Sequence, residues 1–260
     1  MTAEHPTPFE GKAGLVTGAG SGIGEATAKL FAGRGAAVTV VDVNPDSSDR
    51  VVEEITAAGG IARLACCNVT KPDEVARMVD DAVAAFGKLD FAFNNAGITG
   101  YVGPTADVPI DEWHAVIDLD LSAVFYCMKY EIPHMVAQGG GSIVNTSSDA
   151  GINSVPNIAP YVAAKHAVIG LTKATAMEYA AHGVRVNSIC PGATETPLMR
   201  LWIRGDPAIE AAANRSIPLG RMAEADEVAE AVLWLCSDAA SYAVGMTMAL
   251  DGGLTLGPMG

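Results

Sequence analysis

The sequence predicts one α/β domain over residues 1–260, a doubly wound, seven-stranded parallel sheet with helices on both faces. Short runs rich in β-branched residues alternate with longer segments of helical periodicity, which is the pattern of strands joined by crossover helices. No internal repeat, charge block or Pro/Ser-rich linker interrupts that alternation. A hydrophobic content of 50% against 18% charged residues also allows one large core. These observations favour a single domain over two.

The predicted elements follow one another along the chain. The apolar runs expected to form strands are residues 14–16, 37–41, 62–66, 91–94, 142–145, 185–189 and 247–250. The segments expected to form helices are residues 22–34, 47–58, 72–86, 110–136, 161–182 and 225–237. Residues 191–223 fit neither pattern. Because this stretch is long and contains apolar side chains, we expect an irregular loop that covers a substrate.

Composition argues against several classes of function. A formal net charge of −14, without a Lys/Arg cluster, disfavours nucleic acid and anionic membranes as partners. The chain lacks an apolar run of roughly 18 residues and its first residues lack a signal-peptide pattern, so we expect a cytoplasmic protein. Five cysteines show no CxxC spacing, and the histidines form no HExxH motif. We therefore expect reduced thiols and no metal site.

A glycine-rich segment, Thr-Gly-Ala-Gly-Ser-Gly-Ile-Gly at residues 17–24, separates the first predicted strand from the first predicted helix. Bare backbone at such a turn can approach a pyrophosphate, and the helix N-terminus attracts its charge. The spacing is Gly-x-x-x-Gly-x-Gly, and on this motif alone a purely structural tight turn remains an alternative. The residues expected to contact a dinucleotide here are Gly18, Ser21, Gly22, Ile23 and Gly24.

Asp42 ends the second predicted strand, eighteen residues after Gly24. A carboxylate at this point accepts hydrogen bonds from adenosine ribose hydroxyls and repels a 2′-phosphate. Neither the glycine-rich turn nor the residues from Val43 to Pro45 supply a cation that would neutralise such a phosphate. Asp42 and the adjoining Val43 therefore predict NAD rather than NADP as the cofactor, although Asp42 also suits the start of a turn before Asn44.

Tyr161 and Lys165 lie four residues apart in a predicted helix, which places both side chains on one helix face. A free phenol has a pKa near ~10, and a neighbouring ammonium lowers it toward the range of a useful acid/base. Ser148 follows the fifth predicted strand, at the end of the sheet where ligands bind in open α/β folds. Taken one at a time, the Tyr/Lys spacing also suits a packed tyrosine beside a surface lysine, and the serine suits a turn or a helix cap.

Together these motifs resemble the short-chain dehydrogenase/reductase family over residues 11–253. The shared features are the glycine-rich turn, Asn-Asn-Ala-Gly at 94–97, Ser148, Tyr161-x-x-x-Lys165, Pro191-Gly192 and the closing Asp-Gly-Gly at 251–253. The resemblance implies a Rossmann fold in which Tyr161 transfers a proton, Lys165 lowers the tyrosine pKa and holds the nicotinamide ribose, and Ser148 orients the substrate oxygen. It also implies cofactor contacts from Asn95, Ala96, Gly97, Tyr161, Lys165, Pro191, Gly192, Thr194 and Thr196.

Two positions depart from the family pattern. Asn68, followed by Val69, stands where relatives usually carry an Asp that holds the adenine amino group, and its amide oxygen is still an acceptor. Asp120 stands where relatives usually carry an Asn whose helix is kinked, so that a main-chain carbonyl holds a water beside the lysine. We expect Asp120 to occupy this fourth catalytic position, where its charge stabilises the Lys165 ammonium and opposes the Tyr161 phenolate.

The predicted function is NAD-dependent hydride transfer between nicotinamide and a lipophilic secondary alcohol or its ketone. One alternative is a dinucleotide-binding scaffold that has lost catalysis. Another is a different reaction on the same scaffold, such as dehydration, epimerisation or dehalogenation. The intact set of Ser148, Tyr161 and Lys165 argues against the first alternative, which only Asp120 favours. The complete glycine-rich turn and Asp42 argue against the second. The resemblance further implies a homotetramer with 222 symmetry.

Overall fold

The computed structural model describes residues 8–203 and 205–257. In this part of the chain seven parallel strands form one sheet in the order β3-β2-β1-β4-β5-β6-β7. The strands are β1 (Ala13–Thr17), β2 (Ala37–Asp42), β3 (Ile61–Cys66), β4 (Phe91–Asn94), β5 (Gly141–Thr146), β6 (Val184–Pro191) and β7 (Thr247–Leu250). Each predicted strand is present, and the predicted fold class is confirmed. The central strands β1 and β4 are buried along their whole length, which explains their continuous apolar sequences.

Helices cover both faces of this sheet. They are α1 (Gly22–Gly33), α2 (Pro45–Ala57), α3 (Pro72–Phe86), α4 (Ile110–Ile117), α5 (Ala123–Ala137), α6 (Ala159–Tyr179), α7 (Pro197–Ile203), α8 (Pro207–Ser216) and α9 (Ala225–Cys236). Residues 110–136, predicted as one helix, form a continuous helical run in which α4 passes into α5 through a π-helical turn, Asp118–Ser122. Such turns widen a helix locally and are frequent at functional sites.

The prediction of an irregular loop over residues 191–223 was wrong, because this stretch contains α7 and α8. That the stretch covers a substrate stays a prediction. Both helices begin at a proline, Pro197 or Pro207, whose fixed φ suits the first helical turn. Asp206 caps α8 by accepting a hydrogen bond from the Ala208 N–H at 2.8 Å. Helices of 7 and 10 residues are too short to show a clear apolar period, so the sequence pattern did not reveal them.

Two large hydrophobic layers, one on each face of the sheet, form most of the core, and Ile203, Ile217 and Met222 form a third, small cluster. On one face α1, α2 and α9 pack against the strands, and Phe31 stacks on Phe91 with 3.9 Å between the ring centroids. On the other face α3, α5 and α6 cover the strands. Because β1 lies between β2 and β4, the strand order reverses there, and the carboxyl ends of β1 and β4 border the crevice where ligands of such sheets bind. Among the described helices, none has both the length and the hydropathy of a bilayer-spanning segment.

Candidate active site

The glycine-rich turn joins β1 to α1 at this crevice and folds tightly on itself. A Cβ on Gly24 would lie 2.2 Å from the carbonyl oxygen of Gly18, so only glycine permits the approach. Gly18 has a φ of +64°, in the left-handed region. Within the described structure the Ser21 side chain makes no capping hydrogen bond to α1. The first N–H groups of this helix are therefore available to an anion at the turn.

Asp42 lies at the carboxyl end of β2 and is hydrogen-bonded to the glycine-rich turn. Its Oδ2 accepts a hydrogen bond from the Gly20 N–H at 3.0 Å, and its Oδ1 accepts one from the Asn44 N–H at 3.0 Å. The bond from Asn44 is that of a turn before α2, whereas the bond from Gly20 ties the carboxylate to the segment predicted to bind phosphate. Asp42 is only half-buried, so part of its side chain is accessible from the crevice although the carboxylate also makes the turn contact.

The Asn-Asn-Ala-Gly segment begins at the last residue of β4 and is held to β1 by Thr17. The Thr17 Oγ1 accepts hydrogen bonds from the N–H groups of Asn95 and Ala96, at 2.9 and 3.2 Å. The Asn95 side chain donates to the Thr17 carbonyl oxygen at 3.2 Å and accepts from the Thr146 hydroxyl at 3.4 Å. Asn95 thus connects the ends of three strands and positions this segment against the glycine-rich turn.

The loop after β3 presents Asn68 differently from the sequence expectation. The Asn68 Oδ1 already accepts hydrogen bonds from the Thr70 N–H at 3.1 Å and the Thr70 hydroxyl at 2.8 Å. These two bonds occupy both lone pairs of the amide oxygen, and the Asn68 N–H donates to the Glu74 Oε2 at 2.8 Å, so Asn68 offers an adenine its amide nitrogen instead. Val69 is buried in the core below it.

The loop after β6 returns to the glycine-rich turn. The Thr194 hydroxyl donates to the Gly192 carbonyl oxygen at 3.0 Å, and the Thr196 hydroxyl donates to the Thr194 carbonyl oxygen at 3.2 Å. A Cβ on Gly22 would lie 3.2 Å from the Thr196 Cγ2, so the two segments are in contact. The segments predicted to bind the pyrophosphate and the nicotinamide end, the latter beginning at Pro191, therefore border each other.

Helix α6 carries Tyr161 and Lys165 close to the end of β5. The Lys165 side chain is buried, with its Nζ 5.3 Å from the centroid of the Tyr161 ring and 3.2 Å from the Thr146 carbonyl oxygen, to which it donates a hydrogen bond. Burial raises the pKa of Tyr161, because it penalises the phenolate, and the Lys165 charge acts against that rise. Proton exchange at Tyr161 therefore depends on the charges that surround it.

Asp120 lies in the π-helical turn and forms a buried ion pair with Lys165. Its Oδ2 is 3.1 Å from the Lys165 Nζ, and its Oδ1 accepts a hydrogen bond from the Ile98 N–H at 2.8 Å. Burial, the largest single effect, lowers the pKa of Lys165, but the charges of Asp120 and Tyr161 and the contact with Asp120 together outweigh it, and the Lys165 pKa is raised. Burial raises the pKa of Asp120, against the opposing effect of Lys165. A Cβ on Gly97 would lie 3.1 Å from the Asp120 Oδ2, so a glycine here leaves room for the pair.

Ser148 caps a single helical turn after β5, and its hydroxyl is hydrogen-bonded on both sides. The Oγ accepts from the Ala150 N–H at 3.1 Å and donates to the Asp149 Oδ1 at 2.7 Å. The helix cap considered as an alternative is thus present. Burial raises the pKa of Asp149, and the hydrogen bond from Ser148 acts against that rise. Sequence reasoning missed the contact with Asp149, although a carboxylate next to a serine in a turn is a signal for such a bond.

Known proteins are similar to this chain over almost its full length. A family model described as enoyl-(acyl carrier protein) reductase matches residues 18–255. The chain is 47% identical over 247 residues to cyclohexanol dehydrogenase from Acinetobacter sp. (strain SE19), covering 95% of this chain and 96% of that protein. It is 44% identical over 248 residues to 2,5-dichloro-2,5-cyclohexadiene-1,4-diol dehydrogenase from Sphingobium indicum, covering 95% and 98%. The crystal structure of NAD⁺-bound xylitol dehydrogenase matches with a TM-score of 0.90 at 35% identity, covering 94% of this chain and 99% of that one.

Proposed function

This chain belongs to the short-chain dehydrogenase/reductase family and is an oxidoreductase, and on that premise we propose that it is an NAD-dependent dehydrogenase of secondary alcohols with Tyr161 as the acid/base. One observation carries the proposal: Tyr161 and Lys165 lie beside the end of β5, after which Ser148 follows, at the same edge of the sheet as the glycine-rich turn. Ligands of open parallel sheets bind at this edge.

The proposed chemistry assigns one task to each side chain. Tyr161, as phenolate, takes the proton of the substrate hydroxyl, and the Lys165 ammonium stabilises that phenolate. Ser148 exchanges its hydrogen bond with Asp149 for one to the substrate oxygen, which fixes the reacting carbon in place. Bound NAD supplies the hydride acceptor.

The cofactor residues fit a dinucleotide. The close approach of Gly24 to Gly18 and the N-terminus of α1 form a cradle for a pyrophosphate. The Asp42 carboxylate favours a ribose with free hydroxyls over a 2′-phosphate, which is the reason for proposing NAD. The related xylitol dehydrogenase is described as NAD⁺-bound.

The substrate that we propose is a lipophilic, cyclic secondary alcohol. Apolar side chains of α7 face solvent in the region predicted to cover a substrate: Leu198, Leu201 and Trp202 are 41%, 75% and 42% exposed. Exposed apolar surface of this kind suits contact with an apolar ligand. Two of the most similar relatives are named for cyclohexanol and for a cyclohexadiene-diol.

The proposal is tested by incubating the protein with NAD or NADP and matched cyclic and acyclic secondary alcohols. We expect alcohol-dependent formation of NADH, fastest with the cyclic alcohols. A protein that binds NADH and oxidises none of them would contradict the proposed dehydrogenase function and leave the two alternatives, the dinucleotide-binding scaffold and a different reaction on the same scaffold. The ion pair of Asp120 with Lys165 argues against that outcome, since the lysine stays beside Tyr161.

We also propose that the protein is a homotetramer. Large apolar side chains are exposed on several helices and near the end of the chain, namely Phe125, Met177, Trp234, Tyr242 and Leu256. Such residues are typical of surfaces buried between subunits. Light scattering at micromolar concentration measures the mass directly, and a monomer would contradict the proposal.

A further inference from the structure

Arg50 of α2 places a cation near Asp42, at the part of the site proposed to bind the adenosine of NAD, here called the adenosine end. The residues next to Asp42 in the sequence gave no indication of this cation. Its Nη2 donates a hydrogen bond to the Gly20 carbonyl oxygen at 3.1 Å. The N–H of the same glycine donates to the Asp42 Oδ2 at 3.0 Å. The guanidinium and the carboxylate are therefore bound to opposite sides of one residue of the glycine-rich turn.

Two glutamates hold this guanidinium in place. The Arg50 Nη1 donates to the Glu25 Oε1 at 2.9 Å and the Glu54 Oε1 at 2.8 Å, and the Nη2 donates to the Glu25 Oε2 at 2.7 Å. Together with the bond to Gly20, these contacts match the four N–H donors on the two terminal nitrogens. Lys29 pairs with the same two glutamates, so two cations and two carboxylates form a closed cluster.

We propose that Glu25 and Glu54 help to select NAD by keeping Arg50 from a 2′-phosphate, so that Arg50 is a latent phosphate ligand. The proposal rests on the proposed function, in which Asp42 marks the adenosine ribose. An arginine binds phosphate through paired N–H donors, and here those donors are already occupied. The Arg50 side chain is 46% exposed, so once the two carboxylates are removed the guanidinium is free to turn toward a phosphate.

Cofactor binding tests this without relying on turnover. Fluorescence titration gives the dissociation constants of NADPH and NADH for Asp42→Ala, and for the same variant with Glu25→Gln and Glu54→Gln. We expect the added substitutions to tighten NADPH binding by about fivefold or more, with NADH binding unchanged. Adding Arg50→Met should abolish that gain. An unchanged NADPH constant, or a gain that survives Arg50→Met, overturns the proposal.

A charge-matched control separates the Arg50 mechanism from long-range repulsion. Asp49 and Glu53 are exposed on the same helix, and neither forms an ion pair among the described residues. Asp49→Asn with Glu53→Gln, in the Asp42→Ala background, removes the same charge, and an equal gain in NADPH binding would also overturn the proposal. The unaltered protein tests the NAD assignment separately. Equal NADH and NADPH binding there would contradict the proposed cofactor, while the Arg50-dependent gain is measured without Asp42.

Discussion

The two ends of the candidate site hold their charges in opposite ways. At the end that holds Tyr161, here called the chemical end, the side chains of Lys165 and Asp120 are 3% and 0% exposed. At the adenosine end those of Arg50 and Glu54 are 46% and 45% exposed. Charges interact strongly where water is excluded, whereas exposed pairs are screened by solvent and salt and exchange easily. We therefore expect the charges at the chemical end to control the protonation of Tyr161, and those at the adenosine end to set a cofactor selectivity that substitutions can adjust.

The largest expected effect concerns the chemical end. Tyr161→Phe removes the ionisable hydroxyl and keeps the ring, so turnover should fall by about 10²–10⁴ while NADH still binds. Steady-state rates and NADH titration measure the two quantities. Tyr179→Phe, on the same helix but packed against the core, is the matched control and should keep full turnover. Turnover of Tyr161→Phe close to that of the unaltered protein would exclude this residue as the acid/base.

The choice between NAD and NADP tests the adenosine end. The unaltered protein should show a kcat/KM for NAD at least about tenfold above that for NADP, a difference of about 1.4 kcal/mol. Asp42→Ala should narrow this gap, because it removes the carboxylate that repels a 2′-phosphate. Asp46→Ala, an exposed acid at the start of α2, provides the control and should leave the gap intact. Equal use of both cofactors before any substitution would contradict the role given to Asp42.

A third prediction asks how far the buried charges control Tyr161. Burial raises the pKa of Tyr161 most, and the Asp120 carboxylate raises it further. Asp120→Asn removes that charge, so the phenolate forms at lower pH, and the pH at which the alcohol oxidation rate rises should move downward. The enzyme should stay active. Asp118→Asn, an exposed acid in the same π-helical turn, should not move the profile. If the Asp120→Asn profile stays in place or moves upward, the electrostatic account is wrong.

The smallest expected effect distinguishes the two ends by their response to salt. Between about 0.1 M and about 1 M salt the Debye length falls from about 10 Å to about 3 Å, so exposed charges are screened. The preference for NAD over NADP should shrink over this range. The pH profile of oxidation should hardly move, because water is excluded from the Asp120–Lys165 pair. If salt moved the pH profile of oxidation and left the preference for NAD over NADP unchanged, the proposed difference between the two ends would be wrong.

Much of the fold could be predicted from local pattern. The strands appear as short apolar runs because both faces of a parallel sheet are covered, and β1 and β4 are buried throughout. Helices α2 and α3 appear through a clear apolar period. The sequence pattern did not predict α7 and α8, because helices of only two or three turns are too short for an apolar period to be recognised. It also gave no sign of Glu131, which is buried in the core beside Asn94 and has a pKa raised to about 8 by burial.

The sequence by itself determined the order of the strands and of the longer helices, the glycine-rich turn and the candidate residues, because each depends on neighbours within a few positions. The family resemblance predicted that Asp120 lies near Lys165, and the tertiary structure decided how closely these two side chains pair and which other charges meet. Asp120 pairs with Lys165, and Arg50 reaches Glu25 and Gly20, across many intervening residues and from separate helices. Such contacts depend on helix packing and on the π-helical turn that carries Asp120 toward Lys165. Charge effects depend on distance and burial, and neither quantity can be read from residue order.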